Sequence, residues 1–200
     1  SMLPAHLLEP EAGDRVLDLC AAPGGKSTHL AELCRDTGLV LGVDLQWSRL
    51  KALCENTARL RLGSVRAVCG DGVQPPLSGV FDRVLVDAPC SGLGTLRRHP
   101  DLKWNLRCGA LPRLAGLQRA LLRSGIELCK NGGLIVYSVC TFTRPETVEV
   151  IQAVMDECKL ELDDGPEWFN TWKTARGQYQ ILPSNGAMDG FFLTRLRKRF

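Results

Sequence analysis

Short apolar runs alternate with segments of helical periodicity along almost the whole of this chain, and most runs stop beside an acid or a cysteine. The runs are Val16 to Cys20, Leu39 to Val43 followed by Asp44, Val65 to Cys69 with Asp71 close behind, Phe81 to Asp87, Leu134 to Ser138, and Phe191 to Leu196. Each is too short for a helix and nearly continuous, the pattern of a strand covered on both faces. Between them, residues 26–34, 48–62, 111–128 and 145–158 read as helices, with Leu50, Leu53 and Leu60 at helical spacing in the second. Pro145 suits a first helical turn. This alternation predicts an α/β fold, a mostly parallel sheet with helices on both faces. Ligands of such sheets bind beyond the carboxyl ends of the strands. The chemically unusual residues fall there: Asp18 and Cys20, Asp44, Asp71, Asp87 and Cys90, and Cys140.

A chain of 200 residues fits one domain. No apolar run approaches the roughly 18 residues that suggest a membrane span, and Ser1-Met2-Leu3-Pro4 lacks the basic start of a signal peptide. A cytoplasmic protein without a membrane partner is the expectation. The net charge of +3 permits a nucleic-acid partner without demanding one. Nine cysteines are scattered with no CxxC pair, which disfavours a zinc ribbon or a thioredoxin-like motif. Most are expected to be buried, reduced thiols. His6, His29 and His99 are too dispersed to suggest a metal site.

Asp18-Leu19-Cys20-Ala21-Ala22-Pro23-Gly24-Gly25-Lys26-Ser27-Thr28 reads as strand end, tight glycine turn and helix start. Such a turn lets a ligand approach the backbone and meet the free N–H groups of a helix N-terminus. A P-loop requires G-x-x-x-x-G-K-[ST]; Gly25-Lys26-Ser27 matches its end, but Cys20 stands where the first glycine belongs. The G-x-G-x-x-G spacing of a dinucleotide site is absent. S-adenosylmethionine is the third candidate. Its carboxylate can accept from the turn, its ammonium favours an acid such as Asp18 or Asp87, Asp44 can accept both ribose hydroxyls, and Asp71 would lie near the adenine. A lone acid at a strand end is ordinarily a turn or cap residue; four at successive ends beside a glycine turn suggest a site.

Asp87-Ala88-Pro89-Cys90-Ser91-Gly92 follows the fourth run and Tyr137-Ser138-Val139-Cys140-Thr141 the fifth. As neighbouring strands these would present both thiols to one cleft. Methylating carbon 5 of a pyrimidine needs such a group, because thiolate addition at carbon 6 makes carbon 5 enamine-like and able to attack a sulfonium methyl. Asp87 could hydrogen-bond the ring edge. The attacking thiol needs a lowered pKa, and the sequence does not say which cation supplies it.

The ordered set of Asp18-x-Cys20-Ala21-Ala22-Pro23-Gly24-Gly25-Lys26, Asp87-Ala88-Pro89-Cys90-Ser91-Gly92-x-Gly94, Arg98-His99-Pro100-Asp101-x-Lys103-Trp104, Gln118, Gly132-Gly133, Tyr137-Ser138-x-Cys140 and Asp189-Gly190-Phe191-Phe192 resembles the Sun (Fmu, RsmB-type) RNA cytosine-5 methyltransferases from Leu3 to Arg197. The resemblance implies a Rossmann-like class I methyltransferase: a mostly parallel seven-stranded sheet, helices on both faces and an antiparallel last strand. It implies S-adenosylmethionine held by residues 20–26, Asp44, Asp71 and Asp87. It implies an RNA substrate, most naturally ribosomal RNA, with Cys140 as nucleophile, Cys90 assisting release, and Asp87 near the methyl group and base. Lys26 would orient Asp87 or the cofactor. The chain departs from the family at Val139, Thr141 and Val148, where Thr, Ser and Asn are usual. Ser1 matches the end of an upstream family segment, so a catalytic domain cut from a longer protein with an N-terminal RNA-binding region is expected; a monomer is expected too.

Arg97, Arg98, Lys103 and Trp104 lie in a long loop after Cys90. The cations can meet phosphates, while Trp104 can stack on a base or anchor the loop in the core. The tail from Arg195 to Arg199 is either a contact for RNA or a solvated end. Two other functions stay open: a DNA cytosine-5 methyltransferase with Cys90 as nucleophile, and a cofactor- or RNA-binding ribosome-assembly factor whose catalysis has decayed.

Overall fold

The structure, a computed structural model, describes residues 2–105, 109–185 and 188–200. Ser1 and Cys108 lie outside the described residues. Among the described residues, nine strands form one sheet: β1 Arg15–Asp18, β2 Leu39–Asp44, β3 Val65–Cys69, β4 Phe81–Asp87, β5 Cys129–Val139, β6 Leu160–Leu162, β7 Lys173–Ala175, β8 Gln178–Ile181 and β9 Phe191–Lys198. The order is β3-β2-β1-β4-β5-β9-β8-β7, with β6 also paired to β9. The first five strands run parallel; β9 is antiparallel to β5, β6 and β8. The helices are α1 Leu3–Leu8, α2 Gly25–Leu33, α3 Trp47–Leu60, α4 Leu102–Asn105, α5 Ala110–Leu128 and α6 Val148–Glu157.

Alternate residues of the central strands enter opposite cores, as a pleat of period two requires. Leu17, Val84, Val86, Ile135 and Tyr137 pack against Leu121, Leu122 and Ile126 of α5 and Val150 and Val154 of α6. Val16, Leu85, Leu134 and Val136 pack against Leu7 and Leu8 of α1, Leu30 of α2, and Leu50 and Leu53 of α3. Covering helices on both faces explain why these strands read as continuous apolar runs.

The doubly covered α/β architecture is as expected, but several boundaries differ. Among the described residues the sheet has nine strands rather than seven: the six runs read from the sequence, and β6, β7 and β8 from the region after α6. β1 ends at Asp18, leaving Cys20 in the turn. Residues 145–158 are not one helix: Arg144–Glu146 form a 3-10 turn, Thr147 breaks it at φ −121° and ψ −102°, and α6 starts at Val148. The tail is not a solvated end. Residues 195–198 complete β9, where Arg195 and Arg197 pair with Asp163, and Arg199, just past the strand, pairs with Glu161. Among the described cysteines only Cys34 and Cys129 are fully buried and Cys54 and Cys69 are exposed, so the expectation of mostly buried thiols fails. Among the described residues, no helix is long and apolar enough to cross a membrane.

Candidate active site

The glycine turn links β1 to α2 and is fixed from two sides. Behind it, fully buried Asp18 accepts from Ser27 Oγ at 2.7 Å and from the Cys20 N–H at 3.4 Å. In front, Ala21 N–H donates to Val43 O at 2.9 Å and Ala22 N–H to Asp44 Oδ2 at 3.3 Å, tying the turn to the end of β2. The Ala22–Pro23 peptide is cis. Gly24 sits at φ +107°, and a Cβ there would stand 2.7 Å from Leu53 Cδ1, so only glycine lets α2 start this close to α3.

A cavity of about 400 Å³ opens beyond the carboxyl ends of β1, β2 and β4. Cys20, Ala22, Asp44, Asp71, Asp87, Cys90 and Cys140 all line it, and Leu45, Leu117, Leu121 and Ala88 add apolar wall. Ala21, Pro23, Gly24 and Gly25 shape the turn without lining the cavity, and Lys26 reaches the site through its ammonium. Asp18 does not line it either; of the two acids expected to face an ammonium, Asp87 is the one in the wall. Burial pushes the Asp18 carboxyl up to about 6, opposed by the Ser27 hydrogen bond and assisted by the Asp87 charge. Asp71 holds its own turn, accepting from Val73 N–H at 2.9 Å.

Asp87 is the polar centre. Its Oδ2 lies 2.7 Å from Lys26 Nζ, and its Oδ1 accepts from Ser138 Oγ at 2.5 Å. Lys26 stays protonated: burial pulls its pKa down, but the adjacent Asp87 carboxylate more than offsets that.

The two cysteines meet with Sγ atoms 3.2 Å apart. Either thiol could donate, so the surroundings decide. Cys140 is held below the ordinary thiol range, first by the hydrogen bond from Cys90, with Lys26 adding to it against burial and the Asp87 charge. The same hydrogen bond, together with burial, pushes Cys90 up. Lys26 adds only a small pull on Cys140, less than the opposing Asp87 charge, and the hydrogen bond from Cys90 is the main cause of the lowering.

Several residues of the site escaped the sequence reading. Arg49, in the first turn of α3, bonds Ala22 O at 3.1 Å and lies 3.7 Å from Asp44 Oδ2. Its position five residues after Asp44 is the signal that could have found it. Buried Glu146 accepts from Ser91, Gln118 and Thr143; its place right after Pro145 is the local signal, but it gives no role. The departures at Val139, Thr141 and Val148 are accommodated. Val139 is fully buried in β5, Thr141 keeps a hydroxyl 2.9 Å from Ser91 Oγ, and Val148 packs on the core. Trp104 does not anchor its loop; it is 79% exposed, with Lys103 Nζ 4.6 Å from its ring centroid.

Comparison with known proteins agrees with this geometry. A family model described as 16S rRNA methyltransferase RsmB/F matches residues 5–197. A probable ribosomal RNA small subunit methyltransferase B of Bacillus subtilis is 41% identical over 208 residues, covering 100% of this chain and 46% of the relative. A 28S rRNA (cytosine-C(5))-methyltransferase of Mus musculus is 36% identical over 214 residues, covering 99% of this chain and 27% of the relative. The chain thus spans under half the length of these relatives. The crystal structure of NSun6 from Pyrococcus horikoshii with SFG superposes with a TM-score of 0.89 at 31% identity, covering 98% of this chain and 51% of that one. With the model matching nearly end to end, the chain belongs to the RsmB/F family of 16S rRNA methyltransferases.

Proposed function

We propose that this chain is the catalytic unit of an S-adenosylmethionine-dependent methyltransferase that makes 5-methylcytosine in ribosomal RNA through a covalent Cys140 adduct. The observation that carries the reading is the thiol pair, 3.2 Å apart, on the wall of a cavity that also holds Asp44, Asp71 and Asp87. The residues present fit the cofactor. Carboxylates at the ends of β2 and β4 suit ribose hydroxyls and an ammonium, and Leu45 and Leu121 suit the faces of a flat base. When bound, the cofactor supplies an electrophilic methyl group on a sulfonium.

The chain's own residues do the rest. Cys140 adds as thiolate to carbon 6 of the cytosine and turns carbon 5 into a nucleophile. Asp87, oriented by Lys26 and Ser138, hydrogen-bonds the ring edge and stabilises the charge that develops there. After methylation a base removes the carbon 5 proton, the electrons return to the ring, and the Cys140–carbon 6 bond breaks; Cys90, touching Cys140, assists this release. A base in paired RNA must leave its stack to reach both thiol and methyl group. Exposed Trp104 and Lys103 are placed to hold the flanking strand by stacking and charge. The N-terminal RNA-binding region expected from the sequence belongs to the same proposal.

The test is incubation with S-adenosylmethionine and unmodified ribosomal RNA or DNA, with 5-methylcytosine read by mass spectrometry. The expected product is methylated RNA, absent with Cys140→Ser. Methylation of DNA alone, cofactor binding without any product, or activity surviving in Cys140→Ser contradicts the reading.

A further inference from the structure

Glu146 is wholly buried, and the chemistry above gives it no task. A buried carboxylate is costly unless its acceptor sites are filled, and these are filled by residues that flank the two thiols. Ser91 N–H and Gln118 Nε2 donate to Oε1 at 2.8 and 3.1 Å. Ser91 Oγ and Thr143 Oγ1 donate to Oε2 at 2.6 and 2.8 Å. Gln118 Nε2 also donates to Pro89 O at 2.9 Å, so the residues on either side of Cys90 are both held. Ser91 has one hydroxyl proton, and the carboxylate takes it. Thr141, next to Cys140, must therefore be the donor in its 2.9 Å bond to Ser91 Oγ. Tyr137 OH donates to Glu146 O at 2.7 Å and fastens the 3-10 turn beneath β5.

Cys90 and Cys140 leave two different strands, and loops from separate strands do not share a register by default. We infer that Glu146 is the positioning residue that clamps the loops after β4 and β5 together and so sets the contact between Cys90 and Cys140. The inference rests on the covalent reading of the site and deepens it. Glu146 sits in the 3-10 turn that precedes α6. Hydrogen bonding rather than charge is the essential property. A glutamine can turn its carbonyl to the two N–H donors and its amide to the hydroxyls, which rotate to accept. An alanine leaves the Ser91 N–H without its partner and Gln118 with Pro89 O alone.

The spacing of the thiols can be read without methylation. Phenylarsine oxide bridges two adjacent thiols, forming two S–As bonds and releasing one water, and such a bridge resists excess monothiol. Wild type is expected to retain one arsenical that Cys90→Ser loses. Glu146→Ala and Ser91→Ala lose it too, and Glu146→Ala lowers kcat by about 100-fold, the scale of a misplacement near 1 Å. Affinity for S-adenosylmethionine stays at the wild-type value in both, and Glu146→Gln recovers most of the capture and of kcat. Wild-type capture and kcat in Glu146→Ala overturn the inference. So does a joint fall of kcat and cofactor affinity with capture intact, which marks a merely structural residue. If Glu146→Ala does not fold, capture by Ser91→Ala decides. Capture in the wild type without any 5-methylcytosine sinks the covalent reading instead, and the clamp then stands or falls on capture alone.

Discussion

Two clefts open at opposite ends of the same sheet, both rich in charge, and the larger is not the one that looks chemical. The cleft at the amino ends of β4 and β5 measures about 600 Å³ and is lined by Arg83, Arg195, Arg197, Glu9 and Glu11. The cleft at the carboxyl ends measures about 400 Å³. At the amino end the charges answer one another: Arg83 pairs with Glu11 and Asp14, Arg195 with Glu9 and Asp163, and Arg197 with Asp163. At the carboxyl end three carboxylates line one cavity, and Lys26 is shared between Asp87 and the field at Cys140. Volume is therefore a poor guide here. What sets the carboxyl-end cleft apart is the pair of touching thiols beside its acids, with no thiol among the residues that line the other cleft.

The sharpest way to break the contrast is at Asp87. Asp87→Asn should lower kcat about 100- to 1000-fold, the range for removing one preorganised polar group, as measured by single-turnover methylation of ribosomal RNA. Asp44→Ala should weaken S-adenosylmethionine binding about 10- to 100-fold, as loss of hydrogen bonds to a charged group does; calorimetry on the RNA-free protein reads this directly. An unchanged affinity would remove Asp44 from the site.

Asp18→Asn probes the buried support of the turn. Because the folded-state pKa of Asp18 is raised to about 6 from 3.8, the folded protein binds the proton more tightly than the unfolded chain. The contribution of Asp18 to stability thus falls as pH rises from about 4 to about 6 and is level above that. Asp18→Asn removes this contribution and should be the more stable protein at pH 7, by on the order of 3 kcal/mol. Urea titrations of both proteins at several pH values check it; parallel stability curves would contradict it. At the amino end, Arg83→Met should leave methylation at the wild-type rate and lower stability by about 1 kcal/mol. A large loss of activity there would erase the distinction between the clefts.

The sequence made one cleft far more legible than the other. Strands covered on both faces announce themselves as apolar runs, so the parallel core and its carboxyl-end acids could be placed without coordinates. The short antiparallel strands could not. β6 and β7 are three residues each, and β7 is exposed throughout, so neither carries an apolar run or a readable alternation. The pairing of Arg195 and Arg197 with Asp163 joins residues over 30 apart, and a basic tail gives no sign of it. Within the site, residues at strand ends were legible because topology alone puts them there. Ser138 and Gln118 were named only as parts of the family pattern, with no role, and Glu146 had none either, since their work depends on which distant donor or acceptor each one meets. The division between Cys90 and Cys140 came from family resemblance; the structure adds that the two thiols touch.

That division is the centre of the account, and one measurement tests it most directly. Cys90→Ser is incubated with S-adenosylmethionine and unmodified ribosomal RNA, then denatured and resolved for protein bound covalently to RNA. The account predicts a stable adduct, linked through Cys140 and carrying a methylated cytosine, that disappears in the Cys90→Ser/Cys140→Ser double variant. An adduct that forms instead in Cys140→Ser, through Cys90, would contradict it.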